Sequence, residues 1–204
     1  MYRNVIKRLL DVIFAWVILV VSAPVLLLIA LAVRLDSKGP AVFAQRRIGR
    51  DGKEFDMYKF RTMVVNAESG GVYSDDRDTR VTRVGKILRK TSLDELPQCI
   101  NIIRGDMSFI GFRPPLTYHP WPWEEYTEAQ KRMFALRPGI TGWAQVNGRR
   151  TVEWHKRIEL NVWYADHVSF LLDCKILLMT IFKVLSNQDN ENIGASVSGR
   201  AEDQ

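Results

Sequence analysis

A chain of 204 residues, 47% hydrophobic and 25% charged, is long enough for one domain with a real core plus a short attachment element. Its net charge of +6 favours polyanionic partners (nucleic acid, anionic lipid or phosphorylated substrates) without choosing among them. The two cysteines, Cys99 and Cys174, have neither metal-ligand spacing nor the count of a disulfide framework. That leaves a reduced, cytosol-facing domain with both thiols in core roles.

Residues 12–33 carry no charge. At about 1.5 Å per residue such a helix just crosses a hydrocarbon core of roughly 30 Å. A signal peptide fits poorly, because hydrophobicity resumes at Val25 directly after Ser22, Ala23 and Pro24. A core helix would show a polar face, and none is present. Pro24 removes one hydrogen bond and kinks the chain, freeing the Val20 carbonyl for a hydroxyl such as that of Ser22. Arg3, Lys7 and Arg8 precede the stretch, and Arg34, Lys38, Arg46, Arg47 and Arg50 follow it. The positive-inside bias would hold both ends on the cytoplasmic side, which a straight span cannot satisfy. A helix that enters, bends at Pro24 and returns can.

Residues 41–44 and 55–60 read as strands around a turn signal at 48–52. Residues 66–78 form a polar loop, and 84–104 read as a helix broken by Pro97. Residues 105–123, rich in glycine, proline and aromatics, predict irregular chain, with Trp121 and Trp123 as either an interfacial anchor or packed aromatics. A short helix over 127–136 and a loop over 137–149 precede helices at 153–164 and 170–185. The last helix carries Asp173, Lys175 and Lys183 and suits either the core or a membrane surface. The polar residues 187–204 predict a disordered tail. The chain divides into a membrane helix with flanks over 1–38, a compact domain over 39–186 and that tail. The elements predict a mixed, helix-rich α/β fold with few short strands, without Rossmann-type alternation.

Ser92-Leu93-Asp94-Glu95 has two readings. One is a capping box, with Ser92 as N-cap and Glu95 reaching back to its amide. The other starts the helix nearer Pro97, with Asp94 or Glu95 at the cap. Both place the carboxylates at a helix N-terminus, where the dipole favours the ionised form that nucleophilic attack on phosphorus needs. A carboxylate attacking a diphosphate requires nearby cations. Lys59, Arg61, Arg80, Arg83, Lys86, Arg89, Lys90, Arg113 and Arg137 are candidates, though any one alone reads equally as a solvated surface charge. The turns at 137–142 and 148–150 offer backbone amides and guanidinium forks to phosphate. Walker, GxGxxG, HExxH and CxxC patterns are absent, and His119, His155 and His167 lack catalytic spacing. A divalent ion held by carboxylates and substrate phosphates would be of the Mg²⁺ type.

Several ordered motifs now coincide. Tyr58-Lys-Phe-Arg-Thr-Met63, Ser92-Leu-Asp-Glu-Leu-Pro-Gln98, Gly105-Asp-Met-Ser108 with Arg113-Pro114, and the run from Arg137 to Arg149 resemble the bacterial sugar transferase family. These are the monotopic phosphoglycosyl transferases that start capsule, O-antigen and glycoprotein glycan assembly, and the chain looks like the small form with a catalytic unit only. The resemblance spans residues 1–185. It implies a UDP-sugar donor that loses UMP as Asp94 attacks the sugar-linked phosphate. The covalent phosphosugar then passes to polyprenyl (undecaprenyl) phosphate. It further implies that Glu95 supports this step, with Mg²⁺ as cofactor at Asp94 and Glu95, and that Lys59, Arg89, Arg113 and Arg137 contact phosphate. Ser22 and Pro24 would mark the membrane break of a re-entrant helix in the bacterial inner membrane, with the catalytic domain on the cytosolic face. No nucleic acid is expected as a partner, and oligomeric state, a homo-oligomer included, stays open. One departure is Phe112 where the family usually has proline, which questions the rigidity of that loop. Two rivals explain less: a membrane-tethered basic module binding anionic lipid or nucleic acid without catalysis, and an aspartyl-phosphate phosphohydrolase.

Overall fold

A computed structural model of the chain describes residues 1–67, 78–147 and 153–186. The tail expected over 187–204, most of the loop over 66–78 and the turn at 148–150 lie outside them.

Helix α1 spans Lys7–Asp36 after one π-helical stretch, Tyr2–Ile6, and continues on both sides of Pro24. The Ser22 hydroxyl donates to the Ile18 carbonyl at 2.6 Å rather than to that of Val20, because a hydroxyl inside a helix reaches the carbonyl four residues back. Lys7, Asp11 and Ala15 are buried near its start and Ile29 and Val33 near its end, each set at i,i+4 spacing on one face. Between them Trp16, Val17, Val20, Val21, Val25, Leu27 and Leu28 are exposed. Both ends rest on the same domain. Ala15 packs with Phe55, Met57, Cys99, Ile102 and Met107. Ile29 and Val33 pack with Phe60 and Leu88.

Strands β1 (Val42–Ile48) and β2 (Glu54–Phe60) form the expected antiparallel hairpin, with Val42 opposite Phe60 and Phe43 opposite Lys59. Helix α2 (Arg83–Thr91) is capped by the Thr82 side chain, which accepts from the Gly85 amide, and ends at Ser92. Ser92 lies in the left-handed region at φ 58°, so the break within 84–104 falls there and not at Pro97. A 3₁₀ turn, Leu93–Glu95, leads to α3 (Gln98–Arg104), for which Pro97 is the N-cap and Gly105, at φ 100°, the terminator. Neither capping arrangement predicted for the acidic pair forms. Ser92 closes α2 and precedes the 3₁₀ turn without any side-chain capping bond, and the Glu95 side chain turns to Arg113.

Beyond α3 the chain is more regular than expected. Strands β3 (Ser108–Ile110) and β4 (Gly139–Thr141) pair in parallel, and α4 (Glu128–Lys131) and α5 (Trp143–Asn147) are short. Gly111 and Gly139 are required there, since a Cβ on either would lie 2.2 Å or 2.1 Å from facing backbone. Helices α6 (Trp154–His167) and α7 (Phe170–Ser186) complete the fold. One face of α7 buries Asp173 and Ile176, while Phe170, Leu171, Leu178, Ile181 and Phe182 are exposed. Trp121 and Trp123 pack against Tyr126, Phe134 and His155, which selects the packed-aromatic reading. The mixed, helix-rich α/β architecture agrees with expectation.

Candidate active site

Asp94 and Glu95 stand on the 3₁₀ turn between α2 and α3, both half-buried. The left-handed Ser92 redirects the chain so that the pair faces the end of β2 and the loop after β3. Arg113 Nη1 lies 3.3 Å from Glu95 Oε1. The charges of Lys59, Arg89 and Arg113 all act on Asp94. Arg89 is itself oriented, its Nε donating to Thr62 Oγ1 at 2.9 Å. Lys59 extends from β2, its Nζ 5.5 Å from the Phe43 ring centre. Four of the expected cluster, Asp94, Glu95, Lys59 and Arg113, therefore meet, with Arg89 beside them.

At Asp94 burial works against the ionised form that a helix N-terminus favours. Burial first, then the Glu95 charge, pushes its carboxyl up to about 6, against the pull of Lys59, Arg89 and Arg113. Lys59 moves the opposite way, down to about 8, through burial and the repulsion of Arg47 and Arg113, opposed by both carboxylates. Asp94 thus ionises below neutrality beside an ammonium that titrates above it.

Arg137 lies elsewhere. Its Nε donates to the Gly105 carbonyl at 2.8 Å, at the opposite end of α3 from the acidic pair. It lines a cavity of about 350 Å³ with Gly49, Arg50, Lys53 and Asp106. Within the 137–142 turn the Gly139 amide is also engaged, donating to the Phe112 carbonyl at 2.8 Å beside the β3–β4 pairing. Phe112, in the place of the usual proline, is buried against Phe134 at 4.9 Å between ring centres, so packing holds the Arg113 loop.

Two contributors escaped the sequence reading. Arg47, counted there as a membrane-flanking charge, donates from Nη1 to the Pro114 carbonyl at 2.9 Å and braces the loop bearing Arg113. Its alternation with Gln45 and Phe43 was the available signal, but Gln45 and Arg47 lay beyond the strand read over 41–44, which the fold extends to Ile48. Asn101, fully buried on α3, accepts from the Tyr58 amide at 2.9 Å and donates to the Asp56 carbonyl at 2.7 Å, fixing β2 beside Lys59. No local pattern announces it.

Among the described residues no three His, Cys, Asp or Glu side chains gather as a metal cage. The adjacent carboxylates of Asp94 and Glu95 still suit Mg²⁺, which uses one or two carboxylates and takes its other ligands from phosphate and water. Their mutual repulsion, visible in the raised Asp94 value, is what a divalent cation relieves.

A profile of the bacterial sugar transferase family matches residues 2–187. This chain belongs to that family. The transferase is 45% identical over 185 residues to the uncharacterized sugar transferase EpsL of Bacillus subtilis, covering 90% of this chain and 89% of EpsL. It is 43% identical to the UDP-glucose:undecaprenyl-phosphate glucose-1-phosphate transferase of Escherichia coli, covering 91% of this chain but only 41% of that protein. A protein of the same name from Caulobacter vibrioides is 43% identical, with 90% of this chain and 71% of that protein covered. The transferase thus spans nearly all of one relative and less than half of another. The resemblance read from the motifs stands, and with it the assignment as an enzyme; a non-catalytic basic module finds no support in these relatives.

Proposed function

We propose that the transferase moves a sugar 1-phosphate from a UDP-sugar to polyprenyl phosphate in two displacements at Asp94. The observation that carries this is the convergence of Lys59, Arg89 and Arg113 on one half-buried acidic turn. In the first displacement an Asp94 carboxylate oxygen bonds to the sugar-linked phosphorus. The bond to the bridging oxygen breaks, and UMP leaves with that electron pair. In the second, a lipid phosphate oxygen bonds to the same phosphorus, and the Asp94 oxygen leaves as carboxylate. Sugar diphosphate lipid is the product, with no net proton change beyond the ordinary titration of UMP. Mg²⁺ bound by Asp94, Glu95 and phosphate oxygens would neutralise donor charge. Lys59, Arg89 and Arg113 hold the phosphoryl oxygens as charge shifts toward the leaving group. An Asp94 value near 6 leaves the nucleophile ionised at neutral pH without the weak basicity of a strongly depressed carboxylate.

The membrane reading belongs to the same proposal. Helix α1 is long and apolar enough to cross a bilayer, yet both of its ends pack on one domain. Between those ends Trp16, Val17, Val20, Val21, Val25, Leu27 and Leu28 are exposed, which supports a helix that dips into the bilayer around Pro24 and returns, monotopically, on the cytosolic side of the inner membrane. The exposed apolar face of α7 suits the same interface.

A panel of UDP-sugars, assayed with and without polyprenyl phosphate in Mg²⁺, tests the function. UMP and sugar diphosphate lipid should form together. Release of free sugar phosphate to water, independent of lipid, would instead identify the phosphohydrolase.

A further inference from the structure

Four consecutive residues at the end of β2, Lys59 to Thr62, connect the acidic turn, α1 and α2. Lys59 faces the acidic pair, and Phe60 packs against Ile29 and Val33 of α1 and Leu88 of α2. Thr62 accepts from Arg89 through its hydroxyl and from the Thr82 amide through its carbonyl. Arg61, between them, is buried and turns to the end of α1. Its Nε donates to the Pro40 carbonyl at 2.7 Å, and Nη1 to Ser37 Oγ at 2.7 Å and the Lys38 carbonyl at 2.8 Å. Nη2 reaches the carbonyls of Ser37 at 2.8 Å, Val33 at 3.3 Å and Gly39 at 3.4 Å.

Such a site is unusual for a buried guanidinium. Among the described residues no carboxylate pairs with Arg61, and its charge is met by main-chain carbonyls and one hydroxyl at the negative end of a 30-residue helix. The carbonyls gather because Gly39 adopts φ 123°, where a Cβ would also lie 2.8 Å from Val65. Only a planar fork with five N–H groups satisfies so many acceptors, and lysine cannot. The opposite end of α1 is tied differently, by Lys7 to Asp173 at 2.8 Å and by Arg8 to the carbonyls of Ile102 and Ile103. That end connects to α7 and the far end of α3. The Arg61 end connects to the strand terminus that carries Lys59 and orients Arg89.

We infer that Arg61 is a positioning residue that fixes where α1 leaves the bilayer relative to Asp94, and so sets how the membrane-borne acceptor phosphate meets the site. The inference rests on the membrane-transfer reading above. It makes the two substrates unequal in their dependence on Arg61. A soluble UDP-sugar reaches Asp94 whatever the pose of α1, whereas a lipid phosphate is presented at a depth that the helix sets.

The test is Arg61→Lys in full-length protein reconstituted in bilayer nanodiscs, with KM measured separately for UDP-sugar and for polyprenyl phosphate. Loss of several charge-assisted bonds should raise the lipid KM about tenfold and leave the donor KM within about twofold. Ser37→Ala removes a single acceptor and should move the lipid KM in the same direction by about threefold, which keeps the inference open to test if the lysine variant fails to fold. Equal loss for both substrates, or a fall in active fraction with both KM values unchanged, would overturn it. The split is readable even if UMP release requires lipid; that result would count against the covalent intermediate alone.

Discussion

Two aspartates show how differently one side chain can be used in this chain. Asp173 is buried and fully paired: it accepts from Tyr2 and Tyr164 hydroxyls at 2.6 Å each and from Lys7 Nζ at 2.8 Å. Asp94 is half-buried and accepts no hydrogen bond from a described residue, while three cations act on it from a distance. Saturating Asp173 ties the start of α1 to α6 and α7. Leaving Asp94 unsaturated keeps its oxygens available and places its titration near 6. The lesson is that charge density alone does not mark a site; the mismatch between charge and hydrogen-bond supply does.

Each aspartate therefore predicts a different kind of loss. Asp94→Asn should remove turnover by at least about 10³-fold while leaving the fold intact, as activity and melting temperature on one preparation would show. Because the folded value of Asp94 lies above its unfolded one, the ionised residue costs stability as pH rises through that window. The variant should accordingly melt no lower than the parent at pH 8. Asp173→Asn should do the reverse. Leaving Lys7 buried without its partner costs about 3–5 kcal/mol of stability. Chemical denaturation should register that loss, while the surviving folded fraction keeps its KM for UDP-sugar.

Smaller effects sharpen the contrast. Single-turnover rate against pH should be bell-shaped, rising through about 6 as Asp94 ionises and falling through about 8 as Lys59 loses its proton. Glu95→Gln removes a charge that raises Asp94, so the acid limb should move to lower pH. An unmoved limb would assign that limb to another group. The same variant should need more Mg²⁺ for half-maximal rate, by about tenfold.

What the sequence disclosed was local. The uncharged run before Arg34, the hairpin around Gly52 and the acidic pair are contiguous, so composition and periodicity reveal them. What it concealed is long-range or conformational. Lys7 and Asp173 are 166 residues apart, and β3 and β4 are three-residue strands held by glycines with no alternating pattern. The left-handed turn at Ser92 defeated both capping readings, since serine gives no signal for positive φ. Arg137 shares a motif with glycines that suggested phosphate binding, yet tertiary packing sends it to Gly105. Lys59, Arg89 and Arg113 were indistinguishable from other basic residues until the fold selected them.

The central claim is that Asp94 carries the phosphosugar. Intact-mass measurement of the protein mixed with Mg²⁺ and UDP-sugars, without lipid acceptor, addresses it directly. We predict an added mass of one phosphosugar that maps to Asp94, matches the UMP released and is absent from Asp94→Asn. Transfer to lipid by a fully active protein that never shows the adduct would contradict the account.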